Sequence, residues 1–174
     1  DYENIDMLDA YTGEVYTIRA LCYSKLIECF CKAYDPATAE NELGVVLRSK
    51  YSEPEAMKRA SLKASYEFVL NDLKQAEELL DNDNDQYNTI YATAAAAQAL
   101  HARVALYMQD FQTAIDYASK VIDNDMFQLA DANTQYSSED TYLTYMWNYD
   151  SSFEIIWKIG FTTTSYGGAL GQGF

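Results

Sequence analysis

Apolar residues recur at steps of three and four in four separate stretches of the chain, and each stretch predicts a helix. The first covers about residues 8–32, where Val15, Ile18, Cys22, Leu26 and Cys29 keep the period. Gly13 lies near its start and would cost about 1 kcal/mol relative to Ala inside a helix. Either the regular helix begins after it, or a neighbour packs very close there. Residues 33–60 hold Asp35-Pro36, Gly44 and Pro54 and read as connection. Within them Ser52-Glu53-Pro54-Glu55 resembles a capping box that opens a short turn. The second helix, about 61–80, has Ser61 as N-cap and a regular face of Leu62, Tyr66, Val69, Leu73, Ala76 and Leu80. The run Asp81-Asn82-Asp83-Asn84-Asp85 ends it, because such side chains compete for backbone hydrogen bonds.

The third helix, about 91–108, carries Ala95, Ala96, Ala99, Ala102 and Ala105 at helical spacing. So little side-chain bulk lets two backbones approach closely. Gln109-Asp110 is the turn, and the fourth helix, about 111–123, follows with Phe111, Ala114, Ile115, Ala118, Val121 and Ile122. Two helices joined this tightly form an antiparallel hairpin. The D-F-x-x-A-I-x-Y-A-x-x-V-I pattern is close to the second helix of a tetratricopeptide repeat, in which the aromatic and the alanine fit the groove of the preceding helix. The fold class is therefore all-α, built of tetratricopeptide-like helix pairs with long loops.

Beyond Asp123 the pattern breaks down into a loop-rich segment, 124–174. It contains one short helix at about Thr141–Asn148 and a short strand at Phe153–Ile159. Trp157 alternates with Ile155 and Ile159 on one face of that strand and is expected in the core. Residues 162–168 read as a glycine-ended loop.

Charge narrows the function. With 27 acidic and 12 basic residues the formal net charge is −15, which disfavours nucleic acid and anionic lipid as partners. No apolar run reaches the ~18 residues of a membrane span. Cys22 and Cys29 share a helical face and are expected as small buried apolar side chains. No C-x-x-C occurs, His101 is the single histidine, and the acidic run lacks the EF-hand pattern, with Gln86 and Ala92 at its sixth and twelfth places. No metal, cofactor or catalytic residue is assigned, since no Ser or Cys sits in a nucleophile motif and His101 reads as structural or exposed.

Tyrosine is abundant, with 16 residues, several of them outside the periodic segments: Tyr34, Tyr136, Tyr142, Tyr145, Tyr149 and Tyr166. A tyrosine at the surface offers a flat apolar face and a hydroxyl, which suits sugars or protein. Packing of loops onto helices is the alternative for each.

An ordered set of motifs resembles the SusD/RagB family. Gly13-Glu14-Val15 with Arg19-Ala20, Tyr23, Leu26 and Phe30 is similar to its opening helix, and Gly44-Val45-Val46-Leu47 to its G-V-P-L. Pro54, Arg59-Ala60-Ser61, Tyr66, Asp72-Leu73 and Ala76 follow in the family's order. Ala96 to Tyr107 resembles the A-A-x-A-L-x-A-R-V-x-L-Y helix, and Glu154-Ile155-Ile156-Trp157 the E-I-I-W strand. Cys31 stands where the family has Gly, and Val46 where it has Pro. The resemblance implies a partial SusD-like domain over residues 1–174, both ends of which read as cut from a longer protein. It implies a surface-exposed outer-membrane lipoprotein of Bacteroidota, held by a lipid anchor absent from this chain. Such a protein captures oligosaccharide or another nutrient and passes it to a SusC-like TonB-dependent transporter, without catalysis. A tetratricopeptide-type protein- or peptide-binding module without carbohydrate ligand is the alternative.

Candidate ligand-binding residues follow from position rather than from the motifs. They are Tyr34 in the first connection, Trp147, Tyr149 and Asp150 in the polar tract, and Tyr166 in the glycine loop. Trp147 also fits a packing role on the short helix. For Arg19, Arg59 and Arg103, which recur in the motifs, salt bridging and helix packing are expected.

Overall fold

The computed structural model describes residues 5–50, 57–80, 90–149 and 153–160. They form five helices: α1 (Ile5–Phe30), α2 (Leu62–Leu79), α3 (Ala94–Tyr107), α4 (Phe111–Ile122) and α5 (Tyr142–Tyr149). Helix α2 packs between α1 and α3, α3 pairs with α4, and α1 also touches α3. The architecture is all-α and tetratricopeptide-like. The capping-box turn at 52–55, the acidic run at 81–85 and the glycine loop at 162–168 lie outside the described residues.

Side-chain oxygens start α2, α3 and α4. Ser61 accepts from the Ala64 N–H, Thr93 from Ala96 and Asp110 from Thr113, each satisfying an orphan first-turn donor. The core runs along α2 and α3 and includes Leu62, Val69, Leu73, Ala76, Ala97 and Val104, with Ala20 and Ile27 of α1 pressed onto it. Where α1 meets α2, a Cβ on Gly13 would lie 2.7 Å from Leu80 Cγ, so this glycine marks a close helix approach inside a regular helix. The connection 35–45 is pinned to the start of α2: the Gly44 N–H donates to Ala60 O, the Ala60 N–H to Val45 O and the Val45 N–H to Ser65 Oγ. A side chain at Gly44 would collide with Ser65 Oγ and Ser61 O.

Which side of α1 turns inward differs from the sequence reading. The buried side is Gly13, Thr17, Ala20, Ser24 and Ile27. Leu8, Tyr11, Val15, Ile18, Cys22, Leu26 and Cys29 all face outward, Val15 at 60% exposure. Cys22 and Cys29 are therefore exposed, not buried. The reason is steric: the small side lets the α1 and α2 backbones come close, and its two hydroxyls are satisfied within the helix. Thr17 Oγ1 donates to Gly13 O and Ser24 Oγ to Leu21 O, so their burial costs little. Phe111 likewise stands 59% exposed on α4, where only Val121 is buried. The half-buried positions of α4 are mostly small: Thr113, Ala114, Ala118 and Ser119, with Tyr117.

The C-terminal stretch 153–160 begins with a turn at 153–154, and its strand character is reduced to a bridge position at Trp157. Trp157 is half-buried, not in the core, and donates from Nε1 to Ile90 O at 3.3 Å, while Ile159 is exposed. Residues 156–159 close a hollow of about 320 Å³ against Leu21 of α1 and Ala96, Ala99, Leu100 and Arg103 of α3.

The motif arginines tie the helices together. Arg19 pairs with the buried Asp72 through two hydrogen bonds of 2.7 Å each, and its guanidinium lies 5.1 Å from the Tyr16 and Phe68 ring centroids. Arg59 donates to the carbonyls of Gly44, Phe30 and Leu43, fastening the end of α1 to the following connection. Arg103 Nε is buried without a hydrogen-bond partner.

Candidate functional site

An aromatic surface forms around α5. Thr141 caps this helix in a reciprocal arrangement: its hydroxyl accepts from the Thr144 N–H, and Thr144 Oγ1 accepts from the Thr141 N–H. The preceding loop is bound to the same end, since the Tyr142 and Leu143 N–H groups donate to Thr134 O and Asp131 O. Asp131 braces that loop by accepting from the Thr134 hydroxyl and the Asn133 N–H, and these bonds hold its carboxyl below the usual range. Asn148 reaches back to Asp140 at 3.1 Å. An exposed helix of eight residues is marginal alone, so this hydrogen-bonded loop is what fixes it.

The result is a ladder of rings. Tyr136 stacks near Tyr145 with centroids 4.0 Å apart, and Tyr145 follows Tyr149 at 4.8 Å. Tyr142 meets Tyr136 edge-on at 5.3 Å. An interaction with the Tyr145 hydroxyl pushes the Tyr136 phenol above its ordinary value. No residue of α5 is buried. Flat rings beside carboxylates, amides and hydroxyls can hold a sugar by its C–H face and bond its hydroxyls.

Of the residues expected to bind ligand, Tyr149 lies in this ladder. Trp147 is 78% exposed on the same helix, but two residues away along the chain and hence on a different side at 100° per residue. Tyr34 lies elsewhere, edge-on to Tyr66 at 5.1 Å, beside a hollow at the far end of the helix pair. Asp150 and Tyr166 lie outside the described residues. Position in the chain alone does not single out Tyr136 and Tyr145 as site residues; the i, i+4 spacing of Tyr145 and Tyr149 is the available signal, and the approach of Tyr136 is tertiary.

A second polar cluster joins α2, α3 and α4. His101, 1% exposed, stacks on Tyr117 with centroids 3.6 Å apart, and its Nδ1 faces Glu77 Oε1 at 3.5 Å. Lys120 Nζ lies 3.2 Å from Glu77 Oε2 and 3.9 Å from the Tyr117 ring centroid. Burial pushes the Glu77 carboxyl up, but His101 and Lys120 outweigh it and hold the group below its ordinary value. The cluster contains no nucleophile poised on a base and works as a brace. Among the described residues no group of His, Cys, Asp and Glu could hold a metal ion, and no helix is long and apolar enough to cross a membrane.

Known proteins give this geometry a context. Residues 1–106 match the SusD-like family described as starch-binding and associating with the outer membrane. A SusD superfamily protein of Bacteroides thetaiotaomicron VPI-5482 is 26% identical with a TM-score of 0.75, over 95% of this chain and 34% of its own. A SusD-like protein of Bacteroides fragilis NCTC 9343 is 25% identical with a TM-score of 0.68, over 91% of this chain and 28% of its own. A laminarin-binding SusD-like protein shares the fold at 21% identity and a TM-score of 0.52, over 73% of this chain and 25% of its own. No curated protein matches the sequence. The chain thus spans about a third of the length of the solved relatives it matches. With the family match covering more than half of its residues, the chain belongs to the SusD-like family, a family of binding proteins associated with the outer membrane.

Proposed function

We propose that this chain is the helical part of a glycan-capturing protein that binds oligosaccharide and passes it to a SusC-like TonB-dependent transporter. The protein would sit at the cell surface as a lipid-anchored component of the outer membrane. The observation that carries the binding role is the ladder of Tyr136, Tyr145 and Tyr149, exposed at its two ends and half-buried at Tyr145, held by a hydrogen-bonded loop rather than by a core. Trp147 supplies a further open ring on another side of the helix. Asp150, next in sequence to Tyr149, and Tyr166 remain proposed contacts. The starch-binding description of the family and the laminarin-binding neighbour support a neutral polysaccharide.

Affinity electrophoresis in gels containing starch or laminarin tests this reading. Retardation of the parent chain, lost on Tyr136→Ala/Tyr149→Ala, is the expected result. Retardation unchanged by that pair would remove the ladder from the site. The outward apolar strip of α1 favours a second reading, a protein- or peptide-binding module. A parent chain that no polysaccharide retards would leave that reading in place.

A further inference from the structure

The ends of α1 and α3 border an open hollow of about 460 Å³ that the α5 ladder does not share. Its lining includes Tyr34, Tyr66, Tyr107, Glu28, Lys32 and Gln109. We propose that this hollow is a second saccharide subsite, taking one or two units of a short neutral oligosaccharide. The proposal rests on the glycan-binding reading and adds to it a site of different shape.

Three features carry the assignment. The first is size and chemistry. The volume falls within the range of small-molecule sites, and the walls combine flat rings with a few polar groups, as a sugar requires. Tyr107 is open to solvent, while Tyr34 and Tyr66 meet edge to face deeper in the wall. The second is charge. Lys32 is paired with Glu42 at 2.9 Å and Glu28 with Lys25 at 2.7 Å, so neither charge is left over for an ionic ligand. Burial pushes the Tyr66 phenol up to about 12 and raises that of Tyr34, so both rings stay neutral over the physiological range.

The third feature is Gln109. It adopts φ 62, the left-handed region in which a non-glycine residue is strained. A helix-ending turn of this kind is most easily made with glycine. Gln109 instead uses its side chain: Nε2 donates to Tyr34 O at 2.8 Å, bridging the α3–α4 turn to the first connection across the hollow. A side chain retained where the backbone favours none points to a use for it. Its amide oxygen is an acceptor available to a ligand hydroxyl.

The platform and the hollow sit at different places on the scaffold. Gln109 follows the C-terminal end of α3, and none of the ladder tyrosines lines the hollow. A long glycan could therefore engage the ladder while a short stretch or chain end enters the hollow, which would raise avidity without any new contact.

The test titrates the full chain with maltotriose and with laminaritriose, followed by amide chemical shifts, beside the polysaccharide gels. Gln109→Gly should keep or raise the urea midpoint while weakening the trisaccharide response at the hollow about tenfold, and adding Tyr107→Ala should abolish that response. In Tyr136→Ala/Tyr149→Ala the trisaccharide shifts at Tyr34, Tyr107 and Gln109 should persist, while any at the ladder are lost. Shifts centred on Tyr34, Tyr107 and Gln109 are the expected signature. A trisaccharide response at Tyr34 that survives Gln109→Gly/Tyr107→Ala overturns the subsite. So does a parent chain that binds no trisaccharide yet is still retarded by polysaccharide, and in that case the ladder stands alone. Trisaccharide binding without gel retardation instead removes the ladder and keeps the hollow, and loss of both overturns both.

Discussion

Helices α3 and α5 are built on opposite terms. Eight of the fourteen residues of α3 are buried, five of them alanines, and their packing against α2 and α4 holds the scaffold. None of the eight residues of α5 is buried, yet it carries Tyr142, Tyr145, Trp147 and Tyr149. One helix spends small side chains on close packing, and the other displays large rings that stabilise little. Burial of apolar area stabilises a fold, whereas an exposed ring contributes mainly when a ligand covers it. Loss of stability and loss of binding should therefore separate cleanly between the two regions.

The largest effect is expected beneath the scaffold. Asp72→Ala leaves the Arg19 guanidinium facing a hydrophobic helix interface, and unfolding in urea should register a loss of about 3 kcal/mol, moderated by the quarter exposure of Arg19. Ala97→Leu comes next. It forces a branched side chain into a fully buried position of α3 and should cost about 2 kcal/mol by the same measurement. A destabilisation below about 0.5 kcal/mol would show that the interface has slack and that the alanines are not there for close approach.

The α2–α4 brace adds a pH dependence. The Glu77 carboxyl is held below its ordinary 4.5 in the folded chain. Its contribution is thus present above that value and is lost as pH falls through the lower folded value. Thermal unfolding scanned from pH 6 down to pH 3 should show a decline that is shallower in Glu77→Gln. Identical profiles would mean that His101 and Lys120 do not favour the charged carboxylate. The smallest stability change belongs to α5. Tyr149→Ala should move stability by less than about 0.5 kcal/mol, measured by urea, while polysaccharide retardation falls. A large loss of stability there would erase the contrast and make the ladder a packing feature.

Much of the scaffold is legible in the chain. Ser61 as N-cap, the Leu62–Leu80 face and the Gln109-Asp110 turn are local features, and the structure has them where the pattern puts them. The orientation of α1 was not legible. Its two opposite sides both repeat at helical spacing, one of large apolar residues and one of small ones, and hydrophobicity alone selects the wrong one. Close approach at Gly13, Thr17, Ala20 and Ser24 selects the other. Phe111 misleads for a related reason, since the half-buried side of α4 is made mostly of small residues. The candidate site was legible only in part. Tyr149 and Tyr34 stand out as rings outside the helical period, but Tyr136 joins the ladder only because the loop 131–141 folds back on α5.

Local periodicity, capping residues and turn chemistry act over a few neighbouring residues, so the chain by itself determined that four helices form in the scaffold and, at Ser61 and Asp110, where two of them start. Which side of a helix is buried, and which distant tyrosines share a surface, depends on how closely two backbones can approach. Only the tertiary structure decides that, because the fit of small residues between helices is a property of both partners at once.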